Sequence, residues 1–171
     1  MEVCLTKLDQ VLLIKPDIFE DFRGQFVETY HEEIYQQKGI GVHFKQDDIS
    51  VSSKHVLRGI HGDYENWKLI SCHHGKLYII VINNRNESNQ YRHWQSFILS
   101  DRNRHQLLVP PGFGNGYLVL SDMAIFHYKQ SSYYNPKGQF TLRWNDPELG
   151  LWWPAKNPLV SQRDELGHFV D

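Results

Sequence analysis

The apolar positions of this chain fall into short segments rather than long stripes. Leu77–Ile82, LYIIVI, is continuously apolar, as a strand covered on both faces must be, and its brevity and β-branched content favour a strand over a buried helix. Other apolar, aromatic and β-branched segments are separated at short intervals by turn-forming clusters at 21–24, 83–89, 110–116, 135–138 and 145–150. This punctuation predicts strands at 11–14, 25–30, 42–50, 55–61, 68–74, 76–83, 93–99, 105–109, 116–121, 124–130 and 139–143, and so an all-β sandwich or barrel. Only His31–Lys38, HEEIYQQK, reads as helix, being free of glycine and proline until Gly39 offers a C-terminal cap.

Period-two alternation then assigns side chains to faces. Gln46, Asp48 and Ser50 share one face of their strand, as do Phe126, Tyr128 and Gln130, and also Leu57, Gly59 and His61. Lys68 alternates with Ile70 and Cys72, which puts an ammonium on an otherwise apolar face. If these faces turn inward, the barrel has a polar interior suited to chemistry. By pattern alone they fit solvent equally well.

Composition narrows the setting. A chain of 171 residues fits a single domain, 1–171, with a real core. A formal net charge of −2 with scattered basic residues argues against nucleic-acid binding. Cys4 and Cys72 form no CxxC pair, which points to reduced thiols and a cytoplasmic location. The start, MEVCLTKLDQVLLIKP, has neither the basic end of a signal peptide nor an apolar run long enough to span a membrane. No repeat, low-complexity segment or linker is visible.

The chemistry concentrates in Val56–Asp63, VLRGIHGD, and the nearby Trp67-Lys68-Leu69. A histidine flanked by an arginine and a lysine is what proton removal from an anionic, phosphate-bearing substrate requires. Arg23 and Arg58 each abut a glycine, which lets backbone and ligand approach closely. Downstream, FHYKQSSYY supplies tyrosines as candidate acids and SQRD a candidate orienting carboxylate. Each residue also has a plainer reading: a structural histidine at a strand end, tyrosines that pack, a lysine that snorkels and arginines in surface salt bridges.

Taken in order, DFRGQFVE, FKQDDISVS, VLRGIHGD, WKL, HGKLYIIVINNR, VPPGFGNGYLVLSD, FHYKQSSYY, RWNDPELGLWWP and SQRD resemble the sugar-nucleotide 3,5-epimerases of the cupin fold, typified by dTDP-4-keto-6-deoxyglucose 3,5-epimerase. The resemblance implies a cupin-type jelly-roll barrel, a homodimer whose sites borrow residues from the neighbouring subunit, and an isomerase without a cofactor. It matches His61 to the general base, Tyr128 to the general acid, Asp164 to the carboxylate paired with the histidine, and Lys68 to the lysine beside the keto oxygen. Those roles fit the reaction, because epimerisation next to a ketone needs a base, an acid across the ring and a group that stabilises the enolate. It also matches Arg23 and Arg58 to diphosphate or sugar contacts, and Phe26, Glu28 and Tyr134 to positions near the nucleotide. Gln46, Asp48 and Asn115 fall among the substrate-binding positions.

The departures also inform. Gly62-Asp63 replaces an aromatic-glutamine pair after the histidine, the loop YENW is short, and Gly114-Asn115-Gly116 replaces Ala-His-Gly, so a second histidine is missing. These features resemble the branch that acts on GDP-linked 4-keto-heptoses in bacterial capsule synthesis, so GDP-4-keto-heptose is the expected substrate and a dTDP-4-keto-6-deoxyhexose the alternative. A non-catalytic sugar-nucleotide-binding cupin is the alternative from another class. A metal-dependent cupin is disfavoured, since Asn115 stands where a histidine ligand would and consecutive His73 and His74 point to opposite faces.

Overall fold

The computed structural model describes residues 1–167. Its strands are β1 (Glu2–Leu5), β2 (Leu12–Lys15), β3 (Ile18–Asp21), β4 (Gly24–Val27), β5 (Gln46–Ser53), β6 (Leu57–Asp63), β7 (Lys68–His74), β8 (Lys76–Asn83), β9 (Trp94–Ser100), β10 (Gln106–Val109), β11 (Phe113–Val119), β12 (Met123–Gln130) and β13 (Gln139–Thr141). Two short helices, α1 (Glu32–Gln37) and α2 (Gln162–Glu165), complete the order, with a 3₁₀ turn at Pro136–Gly138. The strands form a six-stranded sheet, β1-β2-β10-β7-β12-β5, a five-stranded sheet, β13-β6-β11-β8-β9, and a separate β3-β4 hairpin. The expected all-β jelly roll is the fold.

The expected LYIIVI strand is β8, and both of its faces are covered. Leu77, Ile79 and Val81 join Ile70, Leu107 and Phe126 of the opposite sheet in the cluster between the two sheets. Tyr78, Ile80 and Ile82 face outward instead, where Leu142, Leu149 and Trp153 of the C-terminal segment cover them. Burying each such side chain contributes about 1.5–3 kcal/mol before chain entropy is counted.

The outer face of the six-stranded sheet is covered by α1, whose buried Tyr35 packs with Ile14, Leu69 and Leu108. Glu32 and Glu33 favour the first turn electrostatically, and Gly39, at φ +86°, ends the helix as its sequence predicts. Several boundaries differ. The segment expected as a strand from 42 begins only at Gln46, because Val42 and Phe44 are used to pack against the α1 cluster. β1, β3 and α2 carry too little periodicity to be read in advance.

One departure positions the chemistry. β11 pairs with β6 in regular register at Asn115↔His61, but the next pair is Tyr117↔Arg58, so Gly59 and Ile60 together oppose Gly116. This bulge overturns the expected common face of Leu57, Gly59 and His61. Leu57 and Ile60 turn into the outer cluster beneath Trp153, while Arg58 and His61 both turn toward the inter-sheet cavity. Gly59 makes the bulge possible: it sits at φ +114°, and a Cβ there would lie 2.6 Å from the Gly116 Cα and 2.7 Å from the Asn115 carbonyl oxygen.

Candidate active site

A cavity of about 210 Å³ opens between the sheets, lined by His61, Lys68, Asn115, Tyr128, Arg58 and Tyr134 among the expected residues. Alternation delivers most of them. Phe126, Tyr128 and Gln130 all line the cavity, as their shared face predicts, and the pairing Gln130↔Lys68 brings the lysine to the same wall. Ile70 and Cys72 continue that face into the core below.

His61 and Asp164 are joined by a 2.5 Å contact from Nε2 to Oδ1. The carboxylate comes from a segment remote in sequence, which is tied to the start of β6 where Leu57 donates to the Leu159 carbonyl and Leu159 to the His55 carbonyl. Ser161 then caps α2 by accepting from the Asp164 N–H at 3.2 Å, and the Gly59 N–H donates to the second carboxylate oxygen, also at 3.2 Å. Asp164 is 1% exposed. Burial works to raise its pKa, but the hydrogen bond and charge of His61, with Gly59 and Ser161, outweigh it and hold the carboxyl below its ordinary value. With Nε2 committed, Nδ1 is the ring nitrogen left unbonded among the described residues.

Burial pushes the Tyr128 phenol up to about 12, with Asp48, Tyr117 and Tyr134 adding to the shift. It therefore stays protonated, and a donor, through the neutral range. Burial pushes the Lys68 ammonium down, opposed by the Asp63 carboxylate and reinforced by Arg163. Its Nζ lies 5.9 Å over the Tyr128 ring. Arg58 is aimed by its Nε, which donates to Ser52 Oγ at 3.1 Å.

The remaining expected residues lie further out. Gln46 and Asp48 stand behind the wall: Asp48 Oδ2 accepts from Gln46 at 2.9 Å and from Gln130 at 2.7 Å, and the side-chain Oε1 of Gln46 accepts from the Tyr134 N–H. They brace that wall rather than line the cavity. Arg23, Phe26 and Glu28 lie apart from it, the first two on the β3–β4 hairpin and Glu28 just beyond; Arg23 there pairs with Asp21, and Phe26 is 68% exposed. Within one chain they do not reach the cavity.

Sequence reasoning passed over Arg163 and Gln139, which line the cavity. Arg163 precedes Asp164 on α2, and its guanidinium donates to Gln139 Oε1 and Thr141 Oγ1 of β13 at 3.1 Å each. Its place beside the carboxylate in SQRD was the available signal. Asn66 was also missed: it is 3% exposed, donates to Gln130 and accepts from Ser131 and Ser132, tying the short YENW loop to the segment that carries Tyr134. The unusual Gly62 also has a cause, because a Cβ there would fall 2.0 Å from the Phe140 ring of β13.

Asp63 accepts from the Glu65 N–H at 2.7 Å and closes the loop. Among the described residues no group of three or more His, Cys, Asp or Glu converges as a metal site. The arrangement is suited to moving protons: a carboxylate-held imidazole, a protonated phenol and an ammonium share one cavity.

The family model for dTDP-4-dehydrorhamnose 3,5-epimerase matches residues 5–171. The dTDP-4-dehydrorhamnose 3,5-epimerase of Escherichia coli K12 is 39% identical over 170 residues, covering 96% of this chain and 92% of that one. The crystal structure of the Bacillus anthracis dTDP-4-dehydrorhamnose 3,5-epimerase with TDP and PPi bound superposes with a TM-score of 0.95 at 32% identity, covering 99% of each chain. That of the Legionella pneumophila dTDP-6-deoxy-D-glucose-3,5-epimerase in complex with dTDP-4-keto-L-rhamnose gives 0.93 at 34% identity, over 98% of this chain and 92% of that one.

Proposed function

The chain belongs to the dTDP-4-dehydrorhamnose 3,5-epimerase family, and on that premise we propose that it inverts carbons flanking the ketone of a dTDP-linked 4-keto-6-deoxyhexose. The observation that carries the reading is the His61–Asp164 pair in one cavity with Tyr128 and Lys68. The relatives support the dTDP-hexose alternative over the expected GDP-heptose, for which they offer no support.

The ketone acidifies the hydrogen on each flanking carbon. His61 takes one through Nδ1, and Asp164 stabilises the imidazolium that results. The electron pair moves onto the keto oxygen, where the Lys68 ammonium balances the enolate charge. Tyr128 returns a proton to the opposite face of the carbon, and exchange with solvent resets both groups. Arg58 and Tyr134 serve the diphosphate and base, by charge-assisted hydrogen bonds and by stacking. Gln46 and Asp48 hold the wall behind the sugar.

The active form in this reading is a homodimer in the cytoplasm, with 1–171 acting as a single domain. Among the described residues the β3–β4 hairpin pairs only with itself and presents Phe19, Phe22 and Phe26 to solvent, while β5 is an open sheet edge with exposed Ile49 and Val51. A second copy that brings its hairpin to this edge would supply Arg23, Phe26 and Glu28 to the nucleotide. Light scattering should give twice the chain mass.

The decisive experiment incubates the purified protein with dTDP- and GDP-linked 4-keto sugars in heavy water and locates deuterium and inverted centres by NMR. Exchange and inversion on the dTDP-hexose are expected. Activity on the GDP-heptose alone would reverse the substrate choice, and exchange on neither would favour a sugar-nucleotide-binding module.

A further inference from the structure

Arg58 is an exposed side chain, and one hydrogen bond holds its guanidinium among the described residues: Nε donates to Ser52 Oγ. Both Nη atoms are left for an anion, which a guanidinium grips best as a fork. A long side chain tethered at Nε alone is only as ordered as its acceptor. Ser52 is 5% exposed and stands on β5, in the sheet opposite the arginine. Its hydroxyl accepts from Arg58 and still has a hydrogen of its own to place, because a guanidinium can only donate. The Tyr117 hydroxyl, 3.3 Å away, is the acceptor within reach among the described residues, and Tyr117 passes its own single hydrogen to Ser50 Oγ at 2.7 Å. The cation at one end therefore sets the direction of the whole chain, Arg58 to Ser52 to Tyr117 to Ser50, and each bond polarises the next.

The Tyr117 ring is fixed apart from its hydroxyl. It is 3% exposed and stacks on Phe126 of β12, with centroids 4.4 Å apart and planes at 23°. The bulge at Gly59 and Ile60 sets Tyr117 directly opposite Arg58, so the tyrosine that faces the arginine on β11 also holds the serine that catches it from β5. We infer that Tyr117 is a positioning residue for Arg58: through Ser52, its hydroxyl fixes the guanidinium whose fork takes the diphosphate of the substrate. This step rests on the diphosphate role proposed for Arg58.

Calorimetric titration with dTDP and with thymidine separates positioning from a merely structural role. Tyr117→Phe keeps the ring and its stack, and should bind dTDP about three- to tenfold more weakly, since a loosened arginine must then be ordered on binding. Thymidine, which carries no phosphate, should bind as it does to the wild type. Ser52→Ala, a second variant, should reproduce this pattern by removing the acceptor itself. In an Arg58→Ala background Tyr117→Phe should have no further effect, because no guanidinium remains to position. Wild-type dTDP affinity in Tyr117→Phe, an equal loss of dTDP and thymidine, or an undiminished loss in the Arg58→Ala background overturns the inference, while the diphosphate role stands as long as Arg58→Ala itself weakens dTDP. An Arg58→Ala protein that binds dTDP like the wild type overturns the diphosphate role and the inference with it. A protein that shows the expected coupling yet exchanges deuterium at neither carbon of a 4-keto substrate overturns the epimerase reading instead, with the positioning upheld.

Discussion

β6 and β8 lie on opposite sides of the same strand, β11, and use it differently. β8 runs in unbroken register from Phe113↔Asn83 to Val119↔Leu77 and is buried on both faces. β6 loses a step at Gly59 and Ile60. Regular alternation lets β8 serve two apolar clusters at once. The lost step lets β6 turn two polar side chains, Arg58 and His61, into one cavity and leaves the Gly59 N–H free to hold Asp164. The first strand makes stability and the second makes geometry, so substitutions in them should separate the two properties.

The largest effect should come from β6 and touch only activity. His61→Asn should lower turnover by about 10²–10⁴-fold, the usual contribution of a positioned acid or base. Deuterium uptake next to the ketone should disappear with inversion, and His61→Gln, whose Nε2 reaches the place of the imidazole Nε2 and can still donate to Asp164, should lose activity in the same way with little change in thermal unfolding. Tyr128→Phe should retain exchange at His61 and lose inversion. Normal exchange in His61→Asn would remove it as the base.

β8 should show the opposite. Ile80 is fully buried in the outer cluster, and Ile80→Ala should cost about 2–5 kcal/mol in chemical denaturation. Turnover per folded molecule should stay at the wild-type value, and a matching loss of turnover would mean that the two strands are not separable.

Gly59→Ala tests the bulge itself and should affect both properties. The strained φ alone costs about 1–3 kcal/mol, and the added methyl meets the β11 backbone. Because Gly59 also holds Asp164, turnover should fall in the protein that does fold. A stable, fully active variant would show that the register shift does not aim His61.

The same contrast explains what could be read from sequence. β8, α1 and the cavity face of β12 were legible because one repeating pattern determines each. Tyr128, Lys68 and His61 were legible by residue type and motif. The bulge was not, since alternation carried through GIHGD without a break and set Leu57 on the face that belongs to Arg58. Arg163, Gln139 and Asn66 were missed because their neighbours are brought together only by the closed barrel. Arg23, Phe26 and Glu28 were matched by motif, but their hairpin is remote from the cavity of its own chain.

The smallest expected effect lies at the cap that delivers Asp164 to β6. Ser161→Ala removes the acceptor of the Asp164 N–H, which should cost about 0.5–2 kcal/mol. Ser161 also helps to hold the Asp164 carboxyl below its ordinary value, after the larger influence of His61 has overcome burial. A carboxyl with a lowered folded pKa contributes stability above its unfolded value, about 3.9, and loses it as pH falls through the folded value. The difference between wild type and Ser161→Ala should therefore be full at neutral pH and shrink on acidification, leaving only the cap's share. Urea unfolding at pH 7 and pH 3 measures both. A difference that is the same at both pH values would mean that Ser161 acts on the helix alone, and that the lowered carboxyl owes nothing to it.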